Sequence, residues 1–191
     1  RVAKQLAVTF HQKLGSLHQK TQRVVAMAAH LAGQLGDDQL VHDCRRAAEL
    51  SKADLLTGIV GEFPTLQGIM GGEYAKHDGE SSVVSTAIRE QYMPRAMEGE
   101  LPESLAGKVL SLTDRLDSIA GFFMVGLVPS GSEDPFALRR HATAIVRILI
   151  ESRLRLNLAQ AVRAAQEGLT AQNVTAAPHT GKGGAPDVIG F

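Results

Sequence analysis

The stretch AAELSKADLLTGIVGEFPTLQGIMGG, residues 47–72, combines the apolar spacing of a helix with residues that interrupt one. Its apolar side chains recur at steps of three, four and seven, which is the pattern of a helix packed on a core. Pro64 breaks this pattern, but a proline is tolerated in the first turn of a new helix, where its missing N–H has no partner to lose. The stretch therefore predicts two helices that meet at residues 62–64.

Glycines are frequent in the second of these predicted helices, where Gly68, Gly71 and Gly72 occur within five positions. Each glycine costs a helix about 1 kcal/mol relative to alanine. A helix that contains three of them needs a compensating contact, and the simplest one is the close approach of another helix. We therefore expect a second helix to pack against these glycines.

The composition is that of a globular domain with an aliphatic core. The chain has 191 residues, of which 44% are hydrophobic and 21% charged, while aromatic residues make up only 4% and tryptophan is absent. This length is enough for one domain with a sizeable core. The formal net charge is zero, so the overall charge predicts neither nucleic-acid nor membrane binding, although a local basic patch remains compatible with it.

Cys44 is the only cysteine, which excludes an internal disulfide and a cysteine zinc cluster. We interpret it as a small buried apolar side chain rather than a nucleophile. The apolar runs are shorter than the roughly 20 residues that span a membrane, and no signal peptide is recognisable. We therefore expect a cytoplasmic protein, and the first residue, Arg1, indicates a piece of a longer one.

Cap signals and apolar spacing predict further helices along the chain. Gly36 suits the C-terminal cap of a helix over 17–35, and Asp37 or Asp38 begins the next helix. The remaining predicted helices cover 82–92 after a serine cap, 103–119, 136–156 after Asp134 and Pro135, and 157–165 after Asn157. Together these segments predict an all-α fold of about seven to nine helices.

Residues 1–167 form one predicted helical domain. From Gly168 onward most residues are small or polar, as in the run TGKGGAP at 180–186. Such a composition is typical of a mobile connection between domains. We therefore predict that residues 168–191 form a flexible linker or the start of a following helical region.

His-Asp pairs in an all-α chain suggest the HD hydrolase superfamily. In that superfamily an early histidine, an adjacent His-Asp pair and a later aspartate hold a divalent metal, because neutral imidazole and carboxylate together suit a hydrolytic metal. His18 matches the early histidine and Asp114 the later aspartate. The expected position of the pair, after the Ala-Ala-x-Leu run at 47–50, holds Ser51 and Lys52 instead.

This substitution argues against a catalytic metal, because an ammonium group at Lys52 repels a divalent cation. Of the two real pairs, His42-Asp43 lies about two and a half helical turns too early, and His77-Asp78 lies in a predicted loop at 76–79. We therefore predict an HD-domain-like helical fold with a degenerate metal motif, without catalytic residues and without a bound metal. The degenerate positions are His18, Ser51, Lys52 and Asp114.

A group of arginines follows Pro135 and faces few acids, chiefly Glu151. The planar guanidinium suits phosphate, so Arg139, Arg140 and Arg147 are candidate phosphate contacts. The alternative is a solvated helix face whose arginines pair with nearby acids, and the sequence leaves both interpretations open. The other arginines of the group are Arg153, Arg155 and Arg163, and the basic residues that could extend its surface are Lys52, Arg89 and Arg95.

Several blocks of the sequence occur in the order typical of one known family. They are FHQKLGSL at 10–17, KADL at 52–55, EF at 62–63, LQGIMG at 66–71, YA at 74–75, HDGE at 77–80, DRLD at 114–117, DPFALRR at 134–140 and DVI at 187–189. This ordered set resembles the β subunit of bacterial tetrameric glycyl-tRNA synthetase over nearly the whole chain, and only weakly over 168–186.

The resemblance implies an aminoacyl-tRNA synthetase, an α2β2 enzyme that joins glycine to its tRNA with ATP and Mg²⁺. It implies that the α subunit makes glycyl-adenylate and that the β subunit mainly binds tRNA. This chain then corresponds to the internal HD-like domain of the β subunit, beside other β-subunit domains, with no aminoacylation site and no cofactor of its own. Arg139 and Arg140 lie in one of the family blocks and, with Arg147, are the candidate tRNA-binding residues.

Two other functions stay open on the sequence. One is a metal-dependent phosphohydrolase of the HD type, which requires a bound metal and depends on His18 and Asp114. The other is a structural scaffold that contacts only other protein domains, which a net charge of zero allows.

Overall fold

The structure, a computed structural model, describes Gln5 and residues 7–177, which form an all-α fold with one small hairpin. The hairpin pairs β1 (Thr9–His11) with β2 (Gly15–Ser16) in antiparallel fashion. The described helices are α1 (Leu17–Leu35), α2 (Asp38–Leu50), α3 (Gly58–Glu62), α4 (Ile69–His77), α5 (Ser82–Glu90), α6 (Leu105–Met124), α7 (Leu138–Glu151) and α8 (Leu158–Ala171), with short 3-10 helices at Asp54–Leu56 and Pro64–Leu66. None of these helices is both long and apolar enough to cross a bilayer. The all-α prediction is confirmed, whereas the HD-like arrangement stays a prediction.

Helix α6 lies at the centre of the fold. It contacts α1, α2, α5, α7 and α8, and every residue from 109 to 123 is buried. The core around it is aliphatic, as the composition predicts, with Leu31, Leu110 and Ile148 among its fully buried side chains. A helix buried on every side is expected to be apolar throughout. Because α6 carries charged residues in its middle, those residues need partners inside the protein.

The predicted helix caps agree with the structure at several ends. Gly36 follows the last residue of α1 and donates its N–H to the carbonyl of Ala32. The side chains of Asp37, Ser81 and Asn157 each accept a backbone N–H in the first turn of α2, α5 and α8. These contacts satisfy groups that have no partner within a helix, so local sequence decides where these helices start and stop.

Residues 47–72 do not form the two long helices that their apolar spacing predicts. After α2 the chain passes through a 3-10 helix, the short helix α3 and a second 3-10 helix before α4 begins. Asp54 explains this break, because its Oδ2 accepts the N–H groups of Gly68, at 2.6 Å, and Gly71, at 3.2 Å. The chain must fold back for these contacts to form, so buried polar interactions override the apolar spacing.

Other predicted boundaries shift by a few residues. Helix α4 continues through His77, so the predicted loop at 76–79 begins only at Asp78. Helix α8 continues to Ala171, beyond the helix end predicted at residue 165. The division into a domain over 1–167 and a linker from 168 stays a prediction. Residues 178–191 of the predicted linker lie outside the described residues.

Helix α7 begins two residues later than the sequence predicts. Asp134 does cap it, since its Oδ1 and Oδ2 accept the N–H groups of Leu138, at 2.7 Å, and Arg139, at 2.9 Å. Ala137 occupies the N-cap position, with a left-handed φ of 55°. The extra residues between Asp134 and the helix explain the shift, and the helix ends at Glu151 rather than near residue 156.

Gly72 shows the close helix approach that the glycines predict. A Cβ at this position would lie 2.8 Å from the backbone oxygen of Ser85 and 3.1 Å from Cβ of Arg89, both on α5. We expect Gly72→Ala to lower the free energy of unfolding by about 1–3 kcal/mol, because α4 and α5 must separate. Urea unfolding measures this change. The control Gly61→Ala, with no atom within 4 Å of the added Cβ, should be neutral or slightly stabilising, and equal losses in both variants would contradict the account.

Cys44 is a buried core residue, as its interpretation from sequence predicts. Burial, with a smaller contribution from the charge of Asp43, raises the pKa of its thiol to about 12. Reactive cysteines instead have a lowered pKa and partial exposure. The thiol therefore stays protonated in the folded chain and packs as a small apolar group.

Candidate functional site

A cluster of buried charges joins α1, the turn after α2 and α6; we call Lys20, Arg23, Lys52, Asp114 and Asp117 the charge cluster. Lys20 Nζ lies 3.1 Å from Asp114 Oδ1 and 2.9 Å from Asp117 Oδ2. Lys52 Nζ lies 3.1 Å from Asp114 Oδ2, the other oxygen of the same carboxylate. Arg23 Nε donates to Asp117 Oδ1 at 2.6 Å. The cluster therefore fastens three parts of the chain together in the protein interior.

The charge cluster contains one more cation than carboxylate. Burial by itself raises the pKa of Asp114, but the charges of Lys20 and Lys52 outweigh burial and hold this pKa below its usual range. Lys52 Nζ also donates to Gln91 Oε1 at 3.0 Å and lies 4.4 Å from the ring centroid of Tyr92. These polar and aromatic partners stabilise the additional positive charge.

The side chains around Asp114 do not form a set of ligands that fits a divalent metal. Both oxygens of Asp114 contact ammonium groups, which repel a metal ion. Across Gln5 and residues 7–177, no group of three or more His, Cys, Asp or Glu side chains is placed to hold one. The arrangement of Asp114 therefore supports ion pairing rather than the activation of a metal-bound water.

The structure brings together part of the predicted degenerate motif. Lys52 and Asp114 form an ion pair, and Ser51 lies next to Lys52 in the chain and is fully buried. His18 makes no hydrogen bond or ion pair with any of them, and its Nδ1 is buried without a hydrogen-bond partner in the part of the chain that the structure describes. Helix α1 reaches Asp114 through Lys20 instead.

The sequence-based prediction omits Lys20, Arg23 and Asp117, although a signal for them exists. Lys20 and Arg23 are three residues apart on α1, and Asp114 and Asp117 are three residues apart on α6. Residues at this spacing share one helix face. Two basic residues on one helix and two acidic residues on another, each pair within an apolar stripe, indicate ion pairs buried between those helices.

Helix α7 displays two arginines that are available to an external partner. Arg139 and Arg140 are exposed, and neither side chain forms a hydrogen bond or an ion pair with the described residues. Arg147 differs, because its guanidinium donates to the carbonyl of Met97 at 2.6 Å and pairs with Glu151 at 2.8 Å. Arg147 therefore holds the fold together, which makes it a weaker candidate than Arg139 and Arg140 for binding a ligand.

The other basic residues that the sequence singles out are likewise of two kinds. Some are held by contacts within the protein, and the others are exposed without a partner among the described residues. Lys52 is buried, Arg89 pairs with Glu73, and Arg95 donates to backbone carbonyls, so these three do not extend a free basic surface. The remaining arginines are exposed and form no hydrogen bond or ion pair with described residues. We call this set the exposed arginines: Arg139, Arg140, Arg153, Arg155 and Arg163.

A buried arginine on α6 connects the core with α7. Arg115 Nη2 donates to the carbonyls of Tyr92 and Pro94, at 3.0 Å each, and Nη1 lies 3.3 Å from His141 Nδ1. Burial, followed by the charge of Arg115, lowers the pKa of His141 to about 4. His141 is therefore neutral at neutral pH, and its Nδ1 can accept the hydrogen bond because a guanidinium only donates.

Comparison with known proteins agrees with the resemblance predicted from the sequence blocks. The family model of the glycyl-tRNA synthetase beta subunit matches residues 1–181. The chain is similar to the glycine–tRNA ligase beta subunits of Streptococcus uberis (54% identical over 149 residues, 78% of this chain and 22% of the relative), Acidithiobacillus ferrooxidans (48% over 171 residues, 88% and 24%) and Moorella thermoacetica (46% over 175 residues, 91% and 25%).

The chain spans about a quarter of the length of these curated relatives. The match nevertheless extends across almost all of this chain, including both α7 and the charge cluster. The chain therefore belongs to the glycyl-tRNA synthetase β-subunit family.

Proposed function

We propose that this chain helps to bind and position tRNA within a glycine–tRNA ligase, and that it is not itself catalytic. Its relatives are named as beta subunits of that ligase. The observation that carries the proposal is the exposed pair Arg139 and Arg140 at the start of α7, whose guanidinium groups have no hydrogen-bond or ion-pair partner in the described part of the chain.

The charge around α7 and α8 supports a phosphate ligand. Residues 136–171 contain six arginines and two glutamates, although the whole chain has a net charge of zero. One of these glutamates, Glu151, is paired with Arg147. Guanidinium groups bind phosphate through two parallel donors, and contacts of this kind follow the backbone of RNA rather than its base sequence. We therefore expect this surface to position tRNA rather than to identify it.

The charge cluster supports a non-catalytic role. An HD-type phosphohydrolase needs a metal-bound water, but Lys20 and Lys52 contact Asp114, which matches the later metal-binding aspartate of the HD hydrolase superfamily. His18, which matches the early histidine of that superfamily, forms no hydrogen bond or ion pair with Asp114. The function of the cluster is then to stabilise the fold.

A scaffold role is a second candidate, favoured by exposed apolar residues on the same helix. Val146 and Ile150 are 49% and 69% exposed and lie one turn apart on α7. Met97, whose carbonyl accepts from Arg147, is 62% exposed. Apolar side chains exposed to this degree suit a contact with another protein domain.

The wider assembly follows from the family resemblance. We propose that the chain acts beside other β-subunit domains, in an α2β2 enzyme with the α subunit of the ligase, in the cytoplasm. The complete enzyme then uses ATP and Mg²⁺, and this part of it needs no cofactor of its own.

We expect Arg139→Glu/Arg140→Glu to weaken the binding of glycine tRNA by about tenfold or more at about 0.1 M salt, because two attractive phosphate contacts become repulsive. Fluorescence anisotropy with labelled tRNA measures the affinity. The control Arg45→Glu/Lys76→Glu makes the same change in charge at exposed residues of α2 and α4. It should lose far less affinity, because screening limits charge effects to about 8–10 Å at ordinary salt.

Each alternative gives a different result in this experiment. Equal losses in the two double variants would mean that only overall charge matters, and this would overturn the assignment to α7. If the unchanged chain does not bind tRNA at all, the scaffold role is favoured instead. Circular dichroism of each variant confirms that a loss of binding does not come from unfolding.

A further inference from the structure

A half-open cavity of about 650 Å³ lies between α2, the turn that follows it and α4. Its lining includes Leu50, Ala53, Asp54, Gly71 and Ala75. The volume falls within the range of sites that bind small molecules, and the mixed apolar and charged lining is also typical of them. None of the exposed arginines and no member of the charge cluster lines this cavity.

Asp54 is the unusual residue of this cavity, because its side chain is buried but only partly satisfied. The residue is 1% exposed. Its Oδ2 accepts the N–H groups of Gly68 and Gly71, whereas Oδ1 has no hydrogen-bond partner in the described residues. A buried carboxylate oxygen without a donor keeps its desolvation penalty without the compensating hydrogen bond. Asp54 Oδ1 can therefore accept a hydrogen bond from a ligand.

The charges around the cavity favour a cation as the donor to Asp54 Oδ1. Asp78 and Glu80 line it together with Asp54, and the only arginine or lysine in its lining is Arg46. The guanidinium of Arg46 is already held by Glu80 and by Glu49, so it does not neutralise Asp54. Burial raises the pKa of Asp54 despite the two backbone donors and the charge of Lys52, and a cation beside the carboxylate opposes this rise.

We propose that this cavity binds a small organic ammonium ion, whose N–H groups donate to Asp54 Oδ1 and whose alkyl part packs against the apolar lining. A bare metal ion is a poorer occupant, because no metal-binding group of three or more His, Cys, Asp or Glu side chains occurs among the described residues. An anion is disfavoured by the three carboxylates. The proposal is independent of tRNA binding, since the two sites share no residue.

Titration of the chain with butylammonium, followed by the amide NMR signals of Gly68 and Gly71, tests this site. Both amides donate to the carboxylate of Asp54 and report a new charge beside it. We expect saturable shifts with butylammonium and none with the neutral analogue 1-butanol. Equal responses to both compounds, or no saturation with butylammonium, would overturn the proposal and leave a cavity that holds only water.

Two variants test the role of Asp54 more sharply. Asp54→Asn keeps an oxygen for Gly68 and Gly71 but places an NH₂ donor at the position of Oδ1, and it should weaken butylammonium binding by about tenfold or more. Asp78→Asn removes a largely exposed charge from the same cavity and should change binding by less than about threefold. Unchanged binding in Asp54→Asn would contradict the proposal.

Ala53→Leu provides a test that leaves Asp54 in place. Ala53 is half-buried and lines the cavity, so a larger side chain there fills space without entering the main core. We expect this variant to remain folded and to lose the saturable response to butylammonium. A full response in the Ala53→Leu variant would place the binding site elsewhere and overturn the assignment.

Discussion

We expect Asp114→Asn to lower the free energy of unfolding by about 3–5 kcal/mol. The neutral amide leaves Lys20 and Lys52 buried without the carboxylate that both contact at 3.1 Å. A buried charge that loses its partner keeps its desolvation penalty without the compensating attraction. Urea unfolding at neutral pH, followed by circular dichroism, measures the loss.

Two further variants establish that the loss comes from the charge cluster. Asp78→Asn removes a carboxylate whose side chain is 74% exposed, and it should change stability by at most about 0.5 kcal/mol. Lys20 keeps its ion pair with Asp117, whereas Lys52 loses its one ion pair with a described residue. Adding Lys52→Met to Asp114→Asn removes this unpaired ammonium group and should recover part of the lost stability. If Asp114→Asn is no more harmful than Asp78→Asn, the cluster does not stabilise the fold as described.

We expect His141 to make the chain lose about 3 kcal/mol of stability as the pH falls from 6.5 to 4. Burial, with the charge of Arg115, lowers the pKa of His141 from 6.5 to about 4 in the folded state. Between these two values the unfolded chain binds a proton that the folded chain does not, so stability rises with pH across this range. Urea unfolding at a series of pH values measures the slope.

The variant His141→Gln isolates this contribution. Glutamine can accept a hydrogen bond from Arg115 but takes up no proton, so the variant should lose about 3 kcal/mol less than the unchanged chain over the same range. The other charges that act on His141, those of Asp114, Lys20 and Arg140, are present in both proteins. Parallel curves for His141→Gln and the unchanged chain would contradict the assignment.

Sequence predicts the helices best where a cap lies at the end of an apolar stripe. Gly36 and Asp37 are neighbours, and the first terminates α1 while the second caps α2. Asn157 likewise marks the start of α8. These contacts link residues only three or four positions apart, so a short stretch of sequence contains all the residues that form a cap.

Contacts between distant residues explain what the sequence pattern misses. Asp54 breaks the predicted helices of residues 47–72 by binding Gly68, which lies 14 positions later. Lys20 reaches α6 at a separation of 94 positions to Asp114. Apolar spacing reports the burial of one helix face, but it does not identify the partner of a charged residue within that face. The sequence therefore indicates the charge cluster only through the three-residue spacing of its basic residues on α1 and of its acidic residues on α6.

The arginines of the candidate site also show that a sequence pattern does not identify the partner of a charged residue. Composition identifies the basic segment after Pro135, but it treats Arg140 and Arg147 alike. In the structure Arg140 is exposed without a hydrogen-bond or ion-pair partner among the described residues, whereas Arg147 binds a backbone carbonyl and Glu151. The difference depends on where the chain near Met97 passes α7, and a helical pattern carries no information about that.

The salt dependence of tRNA binding tests the central claim most directly, namely that the exposed arginines of α7 contact RNA phosphates. For the unchanged chain, we expect the logarithm of the affinity for glycine tRNA to fall linearly with the logarithm of salt concentration. Arg139→Glu/Arg140→Glu should reduce this slope by about 1.5 to 2, because each lost phosphate contact releases about one counterion fewer. A slope equal to that of the unchanged chain would contradict the account.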